Sequence, residues 1–290
     1  MIYLDSNATT QVHPEVLEAM LPFLTDQWYN PSSGYRAAKV VRNALVLAHE
    51  QVAALINAKP EEIVMTGCGT ESNNTVLAFL AGQNEGKQRI VTSAIEHSAI
   101  LRYCEAITKG TALEVEQVGV DAHGRLHLHE FEEAINKDDC SMASIMWANN
   151  ETGVIQPIAE AVALAHENGV PFHSDAIQAV GKIPVDVRAS GVDFLSISGH
   201  KFHAPKGIGA LFVREGMRFE PLLRGGGQEG GRRSGTENVA SIVGLGKAAE
   251  IMKQRLDTDG HTGIRELRDH FESRLLAEIR GVKINGSLEH

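Results

Sequence analysis

The sequence has 290 residues, 43% of them hydrophobic, and a formal net charge of −10. That length suits one large domain, or a large domain with a smaller companion, and it can bury a sizeable core. The acidic balance argues against non-specific binding to nucleic acid and against anionic membrane surfaces. Cys68, Cys104 and Cys140 are the only cysteines and show no paired spacing, so a secreted disulfide framework is not expected. The chain opens without a charged-then-apolar leader, and no apolar run approaches the ~20 residues of a membrane span. The expectation is a cytoplasmic protein without a membrane segment.

In chain order, the first strong pattern is an amphipathic helix in which Val41, Leu45, Ala48, Val52 and Leu55 repeat at helical spacing. Strand candidates follow at 62–67, 89–94, 114–120, 142–148, 170–176, 192–199 and 208–214. Helical stretches at 72–80, 98–109, 131–136 and 158–168 separate most of them. This alternation predicts an α/β fold, a mostly parallel seven-stranded sheet with helices on both faces. The runs 142–148 and 192–199 are apolar nearly throughout, as central parallel strands are. The run 208–214 follows closely on its neighbour and is expected to be antiparallel or at an edge. A glycine-rich loop, Gly225-Gly226-Gly227, leads into a helix over 238–256. A polar break at 257–263 precedes a helix carrying Ile264, Leu267, Phe271, Leu275 and Ile279, read as the entry to a smaller domain.

In open parallel sheets ligands bind at the carboxyl ends of the strands, and the residues there are polar and specific. Ser198-Gly199-His200-Lys201 follows an apolar run and precedes Phe202. A lysine so placed points into a cleft, loses its proton by desolvation and attacks a carbonyl. Asp175, in His173-Ser174-Asp175-Ala176-Ile177-Gln178, suits the ring nitrogen of a pyridine aldehyde, and Gln178 suits its phenolic oxygen. Thr66-Gly67-Cys68-Gly69-Thr70 forms a strand-to-helix turn able to hold an anion on backbone N–H groups and the Thr70 hydroxyl. Taken alone, that turn reads first as an ordinary capped helix. His97 is a candidate to stack on a ring and move protons. Asn149-Asn150 before Glu151-Thr152-Gly153 reads as a turn or as an amide aimed at a cofactor oxygen. The loop 225–236 is costly to order unless it meets a ligand or another subunit.

Asp175-Ala176-x-Gln178, Ser198-Gly199-His200-Lys201 and Arg233-Ser234-Gly235-Thr236 resemble the class V branch of the fold-type I pyridoxal-phosphate enzymes, over nearly the whole chain. Leu4-Asp5-Ser6-Asn7-Ala8-Thr9-Thr10, Asn30-Pro31-Ser32-Ser33, Trp147 to Gly153, His203-Ala204-Pro205-Lys206-Gly207 and Leu222-Leu223-Arg224-Gly225-Gly226 resemble the cysteine desulfurases, the nitrogen-fixation type in particular. The resemblance implies a large cofactor-binding domain over 16–256. It also implies that 1–15 contributes to a small domain whose C-terminal part starts at 257–290.

It implies pyridoxal 5'-phosphate held as a Schiff base on Lys201, with His97 stacked on the ring and Asp175 at the pyridinium nitrogen. Gln178 and Asn150 would meet the phenolic oxygen side. Thr70, Ser198 and His200 would hold the phosphate, helped by the Gly69 backbone, with Gly199 among the cofactor-binding residues, and Thr236 would reach the phosphate of the neighbouring subunit in a homodimer. The implied reaction removes sulfur from L-cysteine, leaving alanine, and passes it to an iron–sulfur scaffold or other sulfur acceptor. Selenocysteine lyase and cysteine sulfinate desulfinase share the same apparatus. Ser6, Tyr29 and Gly230 depart from the usual Asn, Gly and Arg of the family. The family's sulfur-carrying cysteine and carboxylate-binding arginine would lie beyond residue 290. The chain is therefore expected to be truncated, to bind cofactor and to be inactive alone. Cys104 and Cys140 are read as buried small hydrophobes, and Cys68 as part of the phosphate turn.

Overall fold

The computed structural model describes residues 2–81, 88–218, 220–258 and 260–290, without the side chains of residues 80 and 81. In chain order the elements are α1 (Pro14–Thr25), α2 (Arg36–Leu55), β1 (Ile63–Thr66), α3 (Gly69–Ala81), β2 (Arg89–Ser93), α4 (Ser98–Thr108), β3 (Glu114–Val118) and α5 (Leu128–Ile135). They continue with β4 (Cys140–Ser144), α6 (Ile158–Glu167), β5 (Phe172–Asp175), α7 (Val187–Ser190), β6 (Phe194–Ser198), β7 (Gly209–Val213), α8 (Val239–Thr258) and α9 (Thr262–Glu278).

The strands form one seven-stranded sheet in the order β1-β7-β6-β5-β4-β2-β3. Pairings from β6 through β5, β4 and β2 to β3 are parallel. Strand β7 is antiparallel to both β6 and β1. Two reversals leave β1 running in the same sense as β6, so β1, β2, β4, β5 and β6 all end on one edge. The short link after β6 explains β7: a parallel neighbour needs a crossover of a dozen residues or more, and none intervenes. At its start Gly209 lies so close to its neighbours that a Cβ would sit 2.6 Å from the Ile197 carbonyl oxygen and 2.9 Å from the Cys68 carbonyl carbon.

Central strand β6 is buried throughout, as the apolar run required. Strand β4 starts two residues earlier and ends four earlier than the run 142–148 suggested. Beyond Ser144 the chain keeps its ladder bonds to the β5 side, with the Ile145 and Trp147 N–H groups donating to His173 and Asp175 carbonyls. On the other side β2 has ended, and the Met146 N–H turns to the Glu96 carboxylate. A two-sided ladder therefore becomes one-sided, although the sequence remains apolar.

All five residues of the helical repeat in α2, Val41, Leu45, Ala48, Val52 and Leu55, are buried. That face packs against α8, which also covers α1. Helix α9 contrasts with them, since it buries no residue along its length. Ile264, Leu267 and Phe271 on it are 62%, 71% and 53% exposed. No helix among the described residues is long and apolar enough to cross a membrane.

Candidate active site

The carboxyl ends of β1, β2, β4, β5 and β6 surround a cavity of about 470 Å³. Gly69, Thr70, His97, Asn150, Asp175, Gln178, Ser198, His200 and Lys201 all line it, with Cys68 beside Gly69. Two of the expected residues do not. Gly199 is buried beneath the loop, where a Cβ would meet Ala204 and Leu245 at 2.9 Å each, so it supplies packing space. Thr236 is exposed beside a separate hollow of about 190 Å³ that includes Gly67, Glu229 and Arg233.

Lys201 ends a single turn of 3-10 helix that follows β6. Its amine donates to the Ala8 carbonyl at 3.0 Å and to the Asn7 carbonyl. Burial lowers its proton affinity, against the pull of Asp175 and Asp5. The N-terminal segment is tied to the loop after β6, with the Thr10 N–H and hydroxyl both donating to the His200 carbonyl at 2.9 Å. The Thr10 hydroxyl also accepts the His203 N–H at 2.7 Å. Asp5, Asn7 and Ala8 thereby form one wall of the cavity, which the sequence pattern alone did not place.

Asp175 is the last residue of β5 and is 4% exposed. Its Oδ2 accepts from the Asn73 amide at 2.7 Å and its Oδ1 from the Ile177 N–H at 3.1 Å. Burial raises its pKa in spite of these bonds and of the nearby His97 and Lys201. Asn73 falls within the helical stretch 72–80, and its contact with Asp175, 102 positions away, leaves no trace in spacing. Two residues before Asp175, His173 bridges β4 and β6, its Nδ1 2.8 Å from the Ser144 hydroxyl and its Nε2 2.9 Å from that of Ser196. Burial pushes His173 down to about 3, so it is neutral and structural.

His97 is the N-cap of α4, and its Nδ1 accepts the Ala99 N–H at 3.1 Å. That bond fixes the neutral ring with its proton on Nε2. Gly69 opens α3 where a Cβ would fall 2.1 Å from Ile177 Cδ1. The first amides of a helix lack intrahelical acceptors and carry positive partial charge. Burial, then Lys201, Lys206 and Lys182, lower the pKa of His200. The same end of the cavity thus holds the Lys201 amine and the first amides of α3, with Lys206 and Lys182 near enough to act on His200, a combination that attracts an anion.

Glu96 is a buried carboxyl beside this wall. Its Oε1 accepts from the Ser93 hydroxyl at 2.6 Å and the Met146 N–H at 2.8 Å, while Oε2 has no partner among the described residues. Burial pushes it up to about 8, with the Asp175 charge adding to the effect. Its folded pKa lies above the unfolded value, so its contribution to stability is present at low pH and lost as pH rises from about 4.5 through about 8. Glu96→Gln keeps the accepting oxygen and removes the charge. The melting temperature of the native protein should fall between about pH 5 and about pH 8 by more than that of the variant, by a few degrees. Equal pH slopes in paired thermal melts would refute this account.

The three cysteines divide as their positions suggested. Cys104 and Cys140 are buried. Burial, with Glu96 adding to it, pushes the Cys104 thiol up to about 12. Cys68 is partly exposed at the start of α3.

The sequence matches the aminotransferase class-V family over residues 2–290. A cysteine desulfurase of Gluconacetobacter diazotrophicus is 49% identical over 100% of this chain and 72% of that protein. The cysteine desulfurase NifS of Azotobacter vinelandii is 46% identical over 98% of this chain and 70% of that protein. Among solved structures, a NifS-like protein superposes with a TM-score of 0.90 at 38% identity, covering 95% of this chain and 76% of its own. SspA in complex with cysteine superposes at 0.83 with 40% identity, covering 86% and 72%. With the lysine, the carboxylate and the anion-attracting turn facing one cavity, these matches place the chain in the class-V aminotransferase family, among the cysteine desulfurases.

Proposed function

We propose that the cavity holds pyridoxal 5'-phosphate and serves the removal of sulfur from L-cysteine, with Lys201 as the group that binds the cofactor covalently. The observation that carries the proposal is the single cavity shared by Lys201, Asp175 and the Gly69 turn. The residues present fit the group. Gly69 leaves a cradle that a Cβ would fill, the cations near His200 call for an anion, and buried Asp175 calls for a positive partner. Gly69, Thr70, Ser198 and His200 would hold the phosphate. Gln178 and Asn150 would take the phenolic side, Asp175 the ring nitrogen and His97 the ring face.

Bound there, pyridoxal phosphate supplies a carbonyl carbon for an amine and a ring that takes up the electron pair freed at the substrate Cα. Lys201, its amine favoured unprotonated by burial, supplies the nucleophile and then moves a proton at its Nζ. His97, with Nδ1 committed to the Ala99 N–H, offers Nε2 alone for hydrogen bonding or proton transfer. Asp175, clamped by Asn73 and Ile177, presents a fixed carboxyl at the base of the site, and a cationic ring nitrogen there would favour its charged form.

A specific observation favours a narrower reading of this chain taken alone. Sulfur transfer needs an accessible thiol, and of the three cysteines two are buried and the third lies at the anion end, beside Gly69. The chain alone is therefore expected to bind pyridoxal phosphate and respond to L-cysteine without releasing sulfide. The experiment is to load the purified protein, add L-cysteine, selenocysteine or cysteine sulfinate together with a thiol reductant that supplies the two electrons needed to release persulfide sulfur as sulfide, and measure alanine, sulfide and cofactor absorbance. An absorbance change with L-cysteine and no sulfide is the expected result. Alanine and sulfide in equal amounts would assign the complete reaction to this chain, and turnover of only the other substrates would move the assignment to a lyase or desulfinase.

The uncovered face of α9 supports reading residues 257–290 as the start of a smaller unit to which 1–15 contributes, with 16–256 as the cofactor-binding unit. The exposed position of Thr236 fits a contact with the cofactor site of a second copy of the chain in a homodimer. An iron–sulfur scaffold is the acceptor that best suits the sulfur product, and the cytoplasm is the compartment that suits such thiol chemistry.

A further inference from the structure

Behind the cavity wall, against Gln178 and Asn7, lies a second amine that the chemistry above does not use. Lys182 follows β5 by one loop, and its Nζ donates to the Gln178 side-chain oxygen and lies 3.5 Å from the Asn7 side-chain oxygen. The Gln178 amide nitrogen in turn donates to the Asn7 carbonyl at 2.9 Å. That same carbonyl accepts from Lys201. Two lysines and one glutamine therefore meet on a single residue of the N-terminal segment.

We infer that Lys182 is a positioning residue for the Lys201 site: its ammonium takes the Gln178 carbonyl oxygen, which turns the amide so that its NH2 edge faces the cavity, and it sets a second positive charge beside Lys201. An amide has one accepting and one donating edge. With the accepting edge committed to Lys182 and one N–H committed to Asn7, the remaining N–H is the group Gln178 can present to a phenolate. A neutral neighbour at 182 would leave the amide free to flip and present its oxygen, which repels a phenolate.

The electrostatics agree with the geometry. Burial, with Lys201 adding to it, lowers Lys182 to about 8, and among the described residues no carboxylate forms an ion pair with it. The other titratable groups near this pair are His200, Asp5 and Asp175, with His261 placing Nε2 3.1 Å from the Gly181 carbonyl. None of them compensates Lys182 directly, so its charge acts on Lys201 and on whatever anion the cavity holds.

This inference rests on Lys201 being the cofactor lysine, and its test separates the two claims. The pH midpoint of the bound cofactor's visible absorbance change is measured in the native protein, Lys182→Met, Lys182→Arg and Lys201→Ala. Loss of the positive charge favours protonation of the neighbouring amine, so Lys182→Met should raise the midpoint by about one unit. Lys182→Arg should stay close to native, and Lys201→Ala should lose the covalent band. A native midpoint in Lys182→Met with cofactor bound overturns the role of Lys182. Should Lys182→Met fail to fold, Lys182→Gln, which retains a donor to Gln178 without the charge, takes its place, and an unshifted midpoint there is equally fatal. A band that survives in Lys201→Ala refutes the lysine assignment instead.

Discussion

Replacing Lys201 with alanine should abolish covalent attachment of pyridoxal phosphate, because its amine is the one in the cavity that reaches in from the end of β6. After borohydride treatment the native chain should retain one cofactor per protein and the variant none. The exchange of the L-cysteine Cα hydrogen with solvent deuterium should fall by at least about 10³-fold, since the same amine moves that proton. This readout needs no sulfur acceptor and so applies to the chain by itself. Labelling of another lysine in the native protein, Lys182 above all, would move the attachment point.

Asp175→Asn should leave the cofactor bound but slow the same exchange by about 10²–10³-fold, the usual cost of removing one preorganised charge from a transition state. The variant keeps the shape and can retain the Ile177 contact through its side-chain oxygen, so the loss reports charge rather than packing. Asp175→Glu should recover only part of the rate, because a longer side chain disturbs the clamp formed by Asn73 and Ile177. Exchange in Asp175→Asn at the native rate would remove the ring-nitrogen role. The two substitutions also differ in kind, one deleting attachment and the other only the rate.

Much of this was legible in the sequence, and the reasons are physical. Strands β1, β4, β5 and β6 are short, fully buried runs, and a residue that follows such a run reaches the carboxyl edge whatever its neighbours do. Lys201, Asp175, His97 and Gly69 therefore share one edge, as the pattern indicates, and the family motifs suggest the chemistry proposed for them. What remained hidden depends on the third dimension. Asn7 and Ala8 reach Lys201 across 194 and 193 positions. Lys182 reads as a solvated surface lysine until its loop folds back onto Gln178. The end of β4 was hidden for another reason, since residues 145–148 stay apolar and buried after losing one hydrogen-bonded neighbour. Gly199 shows the converse: it stands inside a functional motif, yet it lies outside the cavity lining, where its missing side chain lets Leu245 and Ala204 approach.

The closeness of Gly209 to the Cys68 backbone has a bearing on transplantation of such a centre. Strand β7 lends no side chain to the cavity, yet its first residue abuts the turn that opens α3. A designer who copied only the lysine, the carboxylate and the glycine turn onto another scaffold would omit the silent strand that sets their spacing. The smallest portable unit of this centre therefore includes a backbone that never meets a ligand.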